Sequence, residues 1–147
     1  MSIEYYAAVD KDRLPDGQGL NAAATAMDVP LQASPSFSGW SARGFQPFRL
    51  NGHKSGTELS VSPFEAHRGD YDVFDDAVAG KRDSVVTLRW GANALEGAVS
   101  MGLCAILERA AGALVYSTEE DRFVGESELL AAMNELASFA EQSGAAR

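Results

Sequence analysis

The chain has 147 residues, 46% of them hydrophobic and 22% charged, which is the size and mixture of one globular domain with its own core and not of a disordered chain. A formal net charge of -9 repels phosphate backbones and anionic lipid, so neither nucleic acid nor a membrane is an expected partner, and a basic protein surface is favoured. The single cysteine, Cys104, allows no internal disulfide, and no basic stretch leads into an apolar one near the amino end. A cytoplasmic location is therefore expected.

Residues 3–9, IEYYAAV, combine aromatic and β-branched side chains and are expected to form a strand. Pro15, Gly17 and Gly19 mark a turn, and the alanine-rich run 20–27 suits a short helix stopped by Pro30. Residues 30–44 read as a loop carrying Phe37 and Trp40. Segments 45–50 and 57–61 are expected to pair as a hairpin across 51–56, where Asn51, Gly52 and Gly56 can take positive φ. Residues 63–83 are the most polar stretch. Within them, 72–79 offers a narrow apolar face of Val73, Phe74, Ala77 and Val78, suited to a helical turn or two or to a partly ordered insert.

The run 85–90 alternates poorly, as a strand covered on both faces does. The helix expected over 92–111 carries Leu95, Val99, Met101, Leu103, Ile106 and Leu107 on more than one stripe, with Gly97, Ala98, Gly102 and Ala105 among them. A glycine inside a helix costs roughly 0.5–1 kcal/mol relative to alanine, so two of them call for tight packing or a kink. The apolar run 92–107 within this helix holds Asn93 and Glu96, is followed at once by Glu108 and Arg109, and falls short of the ~20 residues that span a bilayer. Gly112 suits the left-handed residue that ends a helix, and 113–116 follow as a strand; this order predicts a parallel crossover. After an acidic turn, Leu129, Leu130, Met133, Leu136, Ala137 and Ala140 lie three or four apart in an amphipathic helix that begins at Ser127 or just before it. The fold class is α+β, with a mixed sheet packed by two main C-terminal helices, 92–111 and 127–142, and a short N-terminal one.

Chemistry is sparsely signalled. His53 falls in a turn. His67 lies near Glu65, Asp70 and Asp72, and a histidine among carboxylates can move protons or help to bind metal. Metal ligation needs three or four rigidly held ligands, the spacing of the aspartates does not match a calcium loop, and no metal or cofactor is expected. Cys104 sits in an apolar helix, as inert thiols do. No nucleophile elbow, phosphate-binding glycine loop, dinucleotide fingerprint or H-E-x-x-H helix is present. Two acidic clusters stand out, Asp70, Asp72, Asp75 and Asp76 with Tyr71 and Phe74 interleaved, and Glu119, Glu120 and Asp121 followed by Phe123. Each reads as solvated surface or as an interface, since aromatic anchors ringed by carboxylates suit a basic partner. Trp40 with Phe37 is a second candidate patch.

The order of a strand ending Arg89-Trp90-Gly91, an alanine-rich helix, the run Ala111-Gly112-Ala113-Leu114-Val115-Tyr116 and an acidic turn before a final helix resembles small bacterial immunity proteins, the antidotes encoded beside interbacterial toxins, including those of type VI secretion. The resemblance covers residues 84–140 and extends more vaguely to Gly56-Thr57-Glu58-Leu59. It implies a binding protein that occludes a cognate toxin's active site; these families share no active site, so it transfers no residue roles. The expected function is thus toxin neutralisation without catalysis, with Asp70, Tyr71, Asp72, Phe74, Asp75, Asp76, Glu119, Glu120, Asp121 and Trp40 as partner-binding residues. The alternatives are a small enzyme or ligand-binding domain using His67 and neighbouring carboxylates, and an assembly subunit pairing through its small-residue helix.

Overall fold

The computed structural model describes residues 2–41, 43–72, 74–75 and 82–143. In chain order its strands are β1 (Ile3–Val9), β2 (Leu31–Ala33), β3 (Gly44–Leu50), β4 (His53–Pro63), β5 (Ser84–Trp90), β6 (Leu114–Ser117) and β7 (Arg122–Phe123). Its helices are α1 (Gly17–Ala26), α2 (Ala94–Ala111) and α3 (Glu126–Gln142), with single 3-10 turns at Lys11–Arg13 and Phe64–His67. The strands join one sheet in the order β2-β3-β4-β5-β1-β6-β7. The α+β class stands, but the sheet is antiparallel in every pairing and not mixed. β5 and β6 do run parallel to each other, as the strand, helix, strand order predicts, yet β1 lies between them and pairs antiparallel with both.

Local signals account for the element ends. The Asp16 carboxylate accepts from the Gly19 N–H at 2.7 Å, so α1 starts at Gly17, ahead of the expected residue 20. Asn93 caps α2 in the same way through the Glu96 N–H, and Gly112 ends it at φ 67°. Asn51 and Gly52 both have positive φ and join β3 to β4 in a two-residue turn. That geometry matches the right-handed twist of the flanking strands, so the hairpin is tighter than the 51–56 connection expected, and His53 opens a strand instead of sitting in the turn. Within the expected loop 30–44, Leu31–Ala33 pairs with β3 as a short edge strand. Arg122–Phe123 similarly pairs with β6 inside the acidic turn.

One face of the sheet carries the helices. Ala7, Val9, Phe48, Leu50, Leu59, Val86, Leu88 and Val115 point at α2, which is buried along nearly its whole length because α3 covers its other side. A helix enclosed in this way has no polar stripe to show, which explains its apolar residues on more than one side. The two interior glycines allow the close approach: a Cβ at Gly97 would stand 2.6 Å from Trp90 Nε1, and one at Gly102 2.8 Å from Met133 Sδ. The small residues of α2 are thus used inside the chain, not offered to another copy. No helix among the described residues is long and apolar enough to cross a membrane.

The opposite face is covered only in part. Tyr6, Ala8, Val85 and Tyr116 lie beneath Phe64, Tyr71 and Phe74 of the segment following β4. Thr87 and Arg89, farther along β5, face outward, so β5 is covered on both sides only at its start. Of the helical turn expected over 72–79, Asp72, Phe74 and Asp75 are helical, while Val73 and residues 76–79, with Asp76, Ala77 and Val78 among them, lie outside the described residues.

On the open part of that face the Phe45 ring lies over Gly56. A Cβ there would stand 2.6 Å from the ring and meet the Gln46 carbonyl oxygen as well. Because backbone is one of the obstacles, repacking cannot relieve the clash. Gly56→Ala is expected to destabilise the protein by roughly 1–3 kcal/mol in urea unfolding; a loss below about 0.5 kcal/mol would mean that β3 and β4 part freely there.

Candidate functional site

The register sets out the open face row by row. Glu58, Arg89 and Glu4 stand side by side on β4, β5 and β1, with alternating charge. Arg89 Nη2 lies 2.6 Å and Nε 3.1 Å from Glu4 Oε2, and this pairing holds the guanidinium firmly protonated. The next row carries the hydroxyls of Ser60 and Thr87, and Ser62 follows on β4. Glu58, Arg89, Ser60, Thr87 and Ser62, with Arg43 and the imidazole of His67, line a groove of about 290 Å³.

His67 reaches the groove from the 3-10 turn after β4. Its Nε2 lies 2.7 Å from Ser62 Oγ, its Nδ1 lies 3.4 Å from Asp70 Oδ2, and its ring meets Tyr6 edge-on at 4.8 Å between centroids. The turn that sets this spacing depends on Gly69 at φ 94°, with Asp70 N–H donating to the His67 carbonyl and Gly69 N–H to Asp75 Oδ2. Burial first, and then the neighbouring Asp70 carboxylate, push the Tyr6 hydroxyl up to about 12. Of the carboxylates expected around His67, only Asp70 faces it within 4 Å. Glu65 pairs instead with Arg68 through two hydrogen bonds of 3.0 and 2.8 Å.

The two acidic clusters meet. Tyr71 packs on Tyr116 at 5.3 Å and Phe74 on Phe123 at 6.3 Å, which draws the segment 70–75 against β6 and β7. The Tyr116 hydroxyl donates to Asp121 in the turn between those strands. Asp70, Asp72, Glu119, Glu120 and Asp121 are exposed along this edge, while Arg122 bridges Glu120 at 2.9 Å and Glu128 at 2.6 Å. The aromatic residues do not project as anchors: Phe74 is fully buried and Tyr71 half-buried. Asp75 is half-buried and tied to Gly69. Trp40 stands apart, near β2 and β3 at the opposite side of the sheet, where it packs on Phe37 and its indole donates to the Pro15 carbonyl. His53 is half-buried at the start of β4.

Cys104 is completely enclosed, and burial pushes its thiol up, away from the reactive thiolate. Among the described residues no three histidines, cysteines or carboxylates are grouped to hold a metal ion. Sequence reasoning singled out His67 but missed Ser62 and the groove. The available signal was the strand alternation, which sends Leu59 and Val61 to the core and Glu58, Ser60 and Ser62 to the other face.

The Tyr6 environment predicts an alkaline response. The folded chain holds this proton more tightly than the unfolded chain does, so stability falls as pH rises from 10 towards 12. Tyr6→Phe is expected to flatten that fall in urea midpoints measured across the same range. An identical slope in the variant would assign the loss to other groups.

Set against models of protein families, curated proteins and solved structures, the chain matches none.

Proposed function

We propose that this chain binds a protein partner with a basic surface along its acidic edge and acts as an immunity protein that neutralises a cognate toxin by covering its active site. The observation that carries this reading is the convergence of two acidic segments, 70–75 and 119–121, which lie far apart in sequence and are joined by the packed rings of Tyr71, Phe74, Tyr116 and Phe123. A buried aromatic mount holds the carboxylates in fixed positions, which favours a complementary cationic surface because less order has to be imposed on binding. Toxins that act on nucleic acids or nucleotides have cationic substrate channels, and a row of fixed carboxylates imitates the anionic substrate there. The net charge of -9 disfavours nucleic acid and anionic lipid as partners and steers a basic protein inward. Action in the cytoplasm, where such a toxin does its damage, belongs to the same reading. Trp40 is remote from this edge and has no part in it.

Asp72 and Glu119 are exposed and form no side-chain ion pair with another described residue, so reversing their charge leaves the mount intact. Asp72→Lys/Glu119→Lys is expected to weaken binding to a partner isolated from the source cell at least tenfold at low salt, with the melting temperature unchanged. Wild-type affinity should also fall steeply with added salt. Equal affinity in the two proteins would remove the acidic edge from the interface.

A further inference from the structure

We propose that Ser62 is an activated nucleophile, with His67 as its base and Asp70 as the residue that positions His67, and that the groove beside it accepts a small carboxylic ester whose acyl half carries a negative group. Asp70 belongs both to this site and to the acidic edge, but Ser62 and His67 take no part in the edge and Asp72 and Glu119 take none in the groove, so variants at those residues separate the two readings.

Three observations carry the assignment. Ser62 Oγ and His67 Nε2 are 2.7 Å apart, a full hydrogen bond. His67 Nδ1 is buried and has no hydrogen-bond partner among the described residues, and the group that faces it is the Asp70 carboxylate at 3.4 Å. With a carboxylate as the nearest charged group, the tautomer protonated at Nδ1 is the favoured one, and in it Nε2 accepts from the Ser62 hydroxyl. Carboxylate, imidazole and hydroxyl in this order form the arrangement that turns a weak nucleophile into a strong one, and such contacts are often loose before substrate binds. Finally, the pair opens into space: the groove of about 290 Å³ admits a small molecule, and Ser62 is fixed on β4 opposite Val85, so its oxygen is held by a sheet and not by a mobile loop.

The remaining lining defines the substrate. Glu58 also lines the groove and Arg89 is paired with Glu4, so Arg43, which has no ion pair with another described residue, is the cation that favours a negatively charged tail, and the hydroxyls of Ser60 and Thr87 are donors available to a developing oxyanion. In the reaction Ser62 Oγ bonds to the acyl carbon while its proton passes to His67 Nε2. The bond from that carbon to the alcohol oxygen breaks, and the departing alcohol takes the proton. A water molecule then attacks the acyl-serine with His67 again as base, releasing the carboxylic acid and restoring Ser62.

A small alkyl fluorophosphonate tests the nucleophile on the full chain, because fluoride leaves as the serine oxygen bonds to phosphorus. Peptide mass spectrometry is expected to place one adduct on Ser62 and none in Ser62→Ala. His67→Gln should slow labelling roughly a hundredfold while keeping the wild-type melting temperature. Asp70→Asn should shift the pH profile of labelling, which a merely structural role would leave in place. With esters, 4-nitrophenyl hydrogen succinate should be hydrolysed faster than 4-nitrophenyl acetate, and Arg43→Ala should erase the difference. Asp72→Lys/Glu119→Lys, which tests the acidic edge, should label like the wild type. Absence of an adduct on Ser62 in the wild-type chain, or equal labelling in folded His67→Gln, would overturn the proposal, and equal rates for the two esters would overturn the substrate class.

Discussion

β1 gives up both of its edges, one to β5 from Ile3 to Val9 and the other to β6 from Tyr5 to Ala8. Because it fills the space between the two strands of the strand, helix, strand unit, α2 has to span it and is pressed flat on the sheet by α3. Ala7 and Ala8 at its centre are completely buried, one on each face, and their small size lets helix and covering segment approach the strand closely. Tyr6 is the large residue on the second face. His67, Tyr71, Phe74 and Tyr116 all pack around its ring, so one side chain backs both the histidine of the groove and the rings beneath the acidic edge.

The helical half of the fold was legible in the sequence because its signals are local. Leu129, Met133 and Ala140 recur at helical spacing, Asn93 and Gly112 close α2 at its two ends, and Gly97 and Gly102 announce the tight packing that Trp90 and Met133 then supply. Strand order was not legible, since nothing near residues 84–116 says that a strand formed some eighty positions earlier will come between β5 and β6. The polar segment misled for a related reason. Phe74 and Tyr71 sit among aspartates, and only the bare second face of β1 and β6 explains why the rings turn inward. Ser62 was hidden more simply, because a serine on the outer face of a strand looks like any solvated residue until a histidine is folded onto it.

Charge is divided along with structure. Toward β6 and β7 the carboxylates gather in turns mounted on packed aromatic rings, whereas Arg49 and Lys54 stand directly opposite each other on the hairpin of β3 and β4, both exposed. Like charges facing each other across two strands repel, at a small cost in a solvated hairpin. The protein therefore presents an electrically polarised sheet, with the His67 groove between a cationic hairpin and an anionic edge. A negative small molecule and a basic protein would be drawn to different parts of it, the hairpin side and the β6–β7 side, which meet at Asp70.

The Thr118 hydroxyl donates to the Glu4 carbonyl across 114 residues of sequence. During synthesis β1 leaves the ribosome well before β5 and β6, and it has no neighbour with which to satisfy either row of its backbone groups. Contacts of such long range make folding slow, because chain closure must be completed before any of them stabilises the product. Until then YYAAV is an unpaired strand rich in aromatic and branched side chains, the kind of segment that pairs with the wrong chain. The feature that organises the finished molecule thus leaves its nascent form open to misassembly for longest at its first strand.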